Sequence, residues 1–228
     1  MGKYTTVLLD IDMTILDFNA AEASALRDAF ESMSLPIDDA LIARYHIIND
    51  ALWKDFELGK VTKERLKYLR FARLVEAAGL AADANILQNV YTDFLSTKGM
   101  MLDGAREFLD EAAKRYSLFA ITNGISYVQK GRFEKADIGG YFKKVFISED
   151  VGFGKPDKRY FDHVLAAIDE KDKRRIAVVG DSLTSDIKGG IGAGLDTCHY
   201  DPDGTHMRED IVPTARARTY GEILEFLG

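Results

Sequence analysis

Cysteine is nearly absent from this sequence: Cys198 is the only one in 228 residues, so no internal disulfide can form. A chain of this length buries enough apolar surface to fold without one, and the usage fits a reducing compartment. Histidine is scarce too. His46, His163, His199 and His206 fall on separate segments, which gives no zinc-ligand spacing. There are four prolines, and no Pro-rich linker, repeat or low-complexity tract. No apolar run approaches the ~18 residues needed to span a bilayer, and the short run after Lys3 lacks the length of a secretory signal. Positive charge is also in deficit. The net charge of −7 argues against a nucleic-acid polymer or an anionic membrane as main partner. A cytoplasmic protein acting on a small molecule is expected, as a monomer or weak homo-oligomer.

What is present is ordinary globular composition, 46% hydrophobic and 29% charged. Short β-branched and apolar runs recur at Thr5–Leu9, Leu118–Thr122, Val145–Ser148, Ile176–Gly180 and Asp196–Tyr200. Helical patterns at Gly104–Tyr116, Ser126–Ala136, Lys158–Asp169 and Thr184–Ala193 separate the later ones. The alternation predicts an α/β fold with a doubly wound parallel sheet. Between the first two strands the rhythm breaks. Four helical stripes run from about Asn19 to Thr97, the first opened by a candidate capping box, Asn19 with Glu22. This predicts a core of residues 1–17 and 98–228 carrying an inserted four-helix domain, 18–97. Asp201–Ala215 reads as a loop.

Four constellations stand at predicted strand ends, where open α/β sheets bind ligands. Asp10-Ile11-Asp12-Met13-Thr14 closes the first strand. Its two carboxylates diverge, so one can attack an electrophile and bind a metal while the other moves a proton. Thr122-Asn123-Gly124 offers a hydroxyl, an amide and a flexible backbone to phosphate oxygens. Lys155, in a glycine-rich loop, is a compact cation suited to a phosphoryl group. Gly180-Asp181-Ser182, with Asp186 beyond, adds carboxylates to make an oxygen-rich site of the kind Mg²⁺ takes. Singly, these read as solvated turns, a surface lysine and a helix cap. The run Gly189–Gly194 closes a predicted helix instead of opening one, so it reads as helix–strand packing, not a dinucleotide loop.

Taken in order, the four motifs resemble the haloacid dehalogenase-like (HAD) superfamily of hydrolases, over the whole chain. The resemblance implies Asp10 as nucleophile, Asp12 as general acid/base, and Thr122, Lys155 and Asp181 at the remaining motif positions. It implies Mg²⁺ held by Asp10, the Asp12 carbonyl and Asp181, with Asp186 orienting a metal-bound water or Lys155. The helical insert stands where that family puts its cap. The words Ala51–Phe56, Arg70-Phe71, Ile121–Gly124 and Ile147–Gly152 are similar to the pyrimidine 5′-nucleotidase branch. A phosphomonoester of a pyrimidine nucleoside is the substrate this implies, with Met13, Phe18, Trp53, Arg70 and Asn123 as binding candidates. Core packing is the plain alternative for Trp53 and Phe71, and solvent exposure for Arg70. The competing readings are a phosphatase for phosphoglycolate or a sugar phosphate, and a non-catalytic binding module.

Overall fold

The computed structural model describes residues 2–228. Strand β1 (Thr6–Leu9) shows why the sheet forms. Val7, Leu8 and Leu9 are fully buried, and they alternate between two cores. Val7 and Leu9 pack with Phe108 and Leu109 of α5 (Ala105–Arg115) and Ile223 of α10 (Tyr220–Leu227) on one face. Leu8 packs with Tyr160, Phe161 and Val164 of α8 (Lys158–Ala167) on the other. Each such side chain contributes roughly 1.5–3 kcal/mol, so a strand covered on both faces tolerates no polar alternation.

The sheet is six-stranded, all parallel, in the order β3-β2-β1-β4-β5-β6. Its members are β2 (Ser117–Thr122), β3 (Phe142–Ile147), β4 (Ile176–Gly180), β5 (Asp196–Tyr200) and β6 (Ala215–Ala217). The chain builds outward from β1 to β3, then returns to build β4 to β6 on the other side. That reversal opens a crevice beyond the carboxyl ends of β1 and β4.

Four helices intervene between β1 and α5: α1 (Phe18–Ser32), α2 (Asp39–Glu57), α3 (Lys63–Ala78) and α4 (Ala84–Ser96). Each begins on a side-chain cap, Asp17, Asp38, Thr62 and Asp83 in turn. They share a core centred on Tyr45, Phe71 and Tyr91, whose ring centroids lie 5.0–5.4 Å apart. Ile125 and Val128 at the start of α6 (Ser126–Ala136) extend that core onto the sheet layer. No helix among the described residues is long and apolar enough to cross a membrane.

Local details depart from expectation. The cap of α1 is Asp17, which accepts from Ala20 N at 2.8 Å; Glu22 is buried and bonds elsewhere. Strand β3 ends at Ile147, because Ser148 opens a short helical turn, α7 (Ser148–Val151). The region read as a loop yields Ala215 to the edge strand β6, and α10 follows. Ala-Arg-Ala is too short and too poor in β-branched residues to signal a strand. The helix expected over Thr184–Ala193 is a wide turn at Leu183–Ile187 leading into α9 (Lys188–Gly192). Close packing explains Gly189 and Gly190, though not the open Gly192. A Cβ on Gly190 would stand 2.7 Å from Thr197 Cγ2 and 3.0 Å from Val178 Cγ2. Gly190→Ala is therefore expected to destabilise the protein by about 1–3 kcal/mol in urea denaturation; an unchanged midpoint would show that α9 can shift away freely.

Candidate active site

Asp10 follows the last residue of β1, and its amide donates to Val179 O of β4 at 2.9 Å. The turn beyond it is tight: Ile15 N and Leu16 N both donate to Ile11 O at 2.8 Å, and Met13 has φ +61°. A non-glycine residue in the left-handed region carries roughly 1–3 kcal/mol of strain, a cost found where a site dictates the backbone. Thr14, buried in the same turn, donates to Asp10 Oδ2 at 3.1 Å and accepts from Asp181 N at 3.2 Å. It ties the first motif to the fourth.

Carboxylate oxygens of Asp10, Asp181 and Asp186 all lie within 4.8 Å of one another. The fully buried Lys155 ammonium stands among them, 2.5 Å from Asp10 Oδ1, 2.7 Å from Asp186 Oδ1 and 2.9 Å from Ile121 O. Burial, reinforced by the charge of Asp186, pushes the Asp10 carboxyl up to about 7. Burial and the neighbouring Asp10 charge likewise raise Asp181 well above the carboxylate range. Burial alone would lower Lys155, but the Asp10 and Asp186 carboxylates outweigh it and hold the ammonium above its ordinary value. Fully ionised, three carboxylates against one ammonium would leave two negative charges unbalanced, and that excess is part of what raises Asp10 and Asp181.

Asp12 projects beside this cluster, and two side chains of α6 hold it. Gln129 Nε2 donates to Asp12 Oδ2 at 2.5 Å and to Thr122 Oγ1 at 2.9 Å. Arg132, fully buried, pairs with Asp12 Oδ1 through Nη1 and donates Nε to Lys98 O at 3.0 Å. Neither residue stood out in the sequence. Both occupy the buried stripe Ile125, Val128, Gln129, Arg132, Phe133, Ala136, where a polar residue needs a reason. Thr122 Oγ1 accepts from Gln129 and from Gly124 N at 3.0 Å, which leaves its own proton to donate.

Asn123 is differently placed from its expected part. Its Oδ1 accepts from Lys155 N and its Nδ2 donates to Lys155 O, both at 2.8 Å. The amide pins the lysine loop and still has one Nδ2 hydrogen free of those two bonds. From the helical layer, Lys63 Nζ reaches Asn123 O at 2.6 Å and Ser148 Oγ at 2.6 Å, and burial pulls this ammonium down to about 8. Thr184 of the fourth motif donates to Glu57 of α2 at 2.5 Å.

Most of these groups, though not Thr14, Lys63 or Ser148, line one cavity of about 280 Å³ between the sheet end and the helical layer. It brings together Asp10, Asp12, Met13, Thr122, Asn123, Lys155, Asp181 and Asp186 with Phe18, Trp53 and Arg70. Phe18 lies over the Arg132 guanidinium, ring centroid to Cζ 5.6 Å. Trp53 is partly buried against the edge of Phe56, whereas Phe71 belongs wholly to the helical core. Arg70 faces no solvent at all, being 1% exposed.

Comparison with known proteins agrees with this geometry. A family model for haloacid dehalogenase-like hydrolases matches residues 4–194. YfnB of Bacillus subtilis, described as a HAD-hydrolase, is 40% identical over 227 residues, covering 100% of this chain and 97% of that one. Its magnesium-bound crystal structure matches with a TM-score of 0.94 over 99% of each chain. The pyrimidine 5′-nucleotidase PynA of Streptococcus pneumoniae is 37% identical, with 98% of this chain and 95% of its own covered. The pyrimidine 5′-nucleotidase YjjG of Escherichia coli is 30% identical, with coverage of 99% and 98%. On the family match and on relatives aligned nearly end to end, the chain belongs to the haloacid dehalogenase-like hydrolases.

Proposed function

We propose that this hydrolase is a Mg²⁺-dependent phosphatase of nucleoside 5′-monophosphates, pyrimidine ones foremost, acting through an aspartyl-phosphate on Asp10. The observation that carries the reading is the meeting of Asp10, Asp12, Lys155 and Asp181 in one cavity. The pyrimidine 5′-nucleotidases among its relatives support the substrate class.

Asp10 Oδ is the in-line nucleophile on phosphorus. The P–O bond to the ribose 5′-oxygen breaks as the Asp10–phosphorus bond forms, and Asp12 protonates the departing oxygen. Asp12 then takes a proton from the water that attacks the phospho-aspartate, releasing phosphate and restoring Asp10. Thr122 donates its free hydroxyl proton, and Lys155 its charge, to the equatorial oxygens, where negative charge accumulates. Gln129 and Arg132 fix the direction of the Asp12 carboxyl throughout. A carboxylate at position 12 favours an oxygen leaving group, because departing halide needs no proton.

The donor set fits a hard dication: oxygen ligands only, with two negative charges in excess once all three carboxyls ionise. Asp10, the Asp12 carbonyl and Asp181 would hold it, with Asp186 beside them bracing Lys155. When bound, Mg²⁺ supplies charge neutralisation at the phosphoryl group. Lys155 and the metal together explain how an acidic protein accepts a dianion. The proposed domains are a sheet core, 1–17 and 98–228, and a helical cap, 18–97.

The test is a substrate panel. With Mg²⁺, UMP and dUMP are expected to exceed phosphoglycolate and sugar phosphates by roughly tenfold or more in kcat/KM. EDTA is expected to abolish turnover and added Mg²⁺ to restore it. Equal rates across the panel would reject the nucleotide reading, and full activity in metal-stripped protein would reject the metal.

A further inference from the structure

The helical layer holds a chain of buried polar side chains that the phosphoryl chemistry leaves unused. Glu22 of α1 is 2% exposed; its Oε2 accepts from Asn49 Nδ2 at 2.7 Å and its Oε1 lies 2.8 Å from His46 Nδ1. Asn49 Oδ1 accepts in turn from Arg70 Nη1 at 3.3 Å. Arg70 Nε donates to Gln88 Oε1 at 2.8 Å. One nitrogen is left over: Arg70 Nη2 is buried and has no partner.

A guanidinium N–H taken out of water and left unpaired is unfavourable unless a ligand supplies the acceptor. Arg70, Asn49 and His46 line the same cavity as Asp10. Leu95 and Val128 line it too, both buried and apolar. Asn49 has its amide spent on Glu22 and its carbonyl on Arg70, so what this end of the cavity still offers is a donor. Charge narrows the ligand further. Arg70 has a carboxylate behind it, Glu22, relayed through Asn49 and shared with His46, so its charge is already opposed from within the helical layer. A second carboxylate arriving here would face an arginine already compensated and the buried Glu22 behind it.

Resting on the nucleotidase reading above, we propose that Glu22, Asn49, Arg70 and Gln88 form a base-reading subsite that binds an uncharged ring carbonyl, O2 or O4 of a pyrimidine, and disfavours a carboxylate. Arg70 Nη2 is the group that touches the carbonyl. Glu22 is a positioning residue, setting both the aim of the guanidinium and the net charge of the subsite. Nucleotides are thereby separated from phosphoglycolate-like substrates by side chains of the helical layer, not by the carboxylates at the sheet end.

Ribose 5-phosphate, which lacks the base, is the reference substrate. Arg70→Met is expected to reduce the UMP to ribose 5-phosphate ratio of kcat/KM by roughly 30-fold, mostly through KM for UMP. Glu22→Gln keeps the shape and removes the counter-charge. It is expected to raise the phosphoglycolate to UMP ratio roughly tenfold. A purely structural role would lower all rates together and leave both ratios unmoved, and that result overturns the proposal. Should Arg70→Met fail to fold by circular dichroism, the near-isosteric Glu22→Gln decides alone. A wild-type enzyme that does not prefer UMP to ribose 5-phosphate overturns the nucleotidase reading itself. A wild-type preference that survives in folded Arg70→Met overturns only the subsite.

Discussion

Asp10→Asn is expected to lower kcat for p-nitrophenyl phosphate and for UMP by roughly 10⁴-fold or more, since the proposed attacking carboxylate becomes a neutral amide. The same substitution is expected to stabilise the metal-free protein near neutral pH. In the folded state Asp10 titrates at about 7, because burial and Asp186 oppose its charge; in the unfolded chain it titrates near 3.9. Between those values the folded protein keeps a proton that the unfolded chain has released. The contribution of this group is thus fully present below about pH 4 and is lost as pH rises through about 7. Three pH units correspond to a loss on the order of 4 kcal/mol. Thermal melts in EDTA at pH 5 and pH 7.5 check the sign. The variant should melt above wild type at pH 7.5, and the gap should narrow at pH 5. Added Mg²⁺ should close the gap from the wild-type side. Unimpaired turnover in Asp10→Asn would dismiss the nucleophile assignment.

Lys155→Met should be the most damaging change to the folded site. It leaves Asp10, Asp181 and Asp186 facing one another with no cation. Breaking a buried pair in this way costs about 3–5 kcal/mol. Turnover is expected to fall roughly 10²–10³-fold as well, the usual loss when a group opposite developing charge is removed. Lys155→Arg is not expected to rescue. A planar guanidinium cannot reproduce the compact ammonium's three contacts to Asp10, Asp186 and Ile121 O. Urea melts at saturating Mg²⁺ and in EDTA separate the two losses, since the metal should return part of the stability and little of the rate. A variant as stable and active as wild type would remove Lys155 from the site.

Strand-end chemistry was the legible part of this protein. Asp10, Thr122 and Asp181 each follow or end a run buried on both faces, so local pattern alone located them at one sheet edge. The helical layer was legible as four stripes, but its use was not. Arg70 could not be placed from sequence, because whether a guanidinium meets solvent or buried amides depends on Asn49 and Gln88, which lie on other helices. Gln129 and Arg132 were hidden for a related reason: their partner, Asp12, is more than a hundred residues away. Asn123 lines the cavity, but its side chain also braces the backbone of Lys155, a use that its type did not announce. The short strand β6 escaped because edge pairing with β5, not composition, makes it a strand.

The central strand is also the first one made. Thr6 pairs with Ser117 on one side and Ile176 on the other. On the ribosome, β1 therefore emerges as an apolar ribbon with both edges open, long before either neighbour exists. The residues that follow it, by contrast, carry most of a core of their own around Tyr45, Phe71 and Tyr91, and can collapse at once. Biogenesis should proceed inside out, helices first and sheet last. A nascent chain released before Ile176 would expose one edge of β1 to any passing strand, making premature termination an aggregation hazard and not merely a loss of activity.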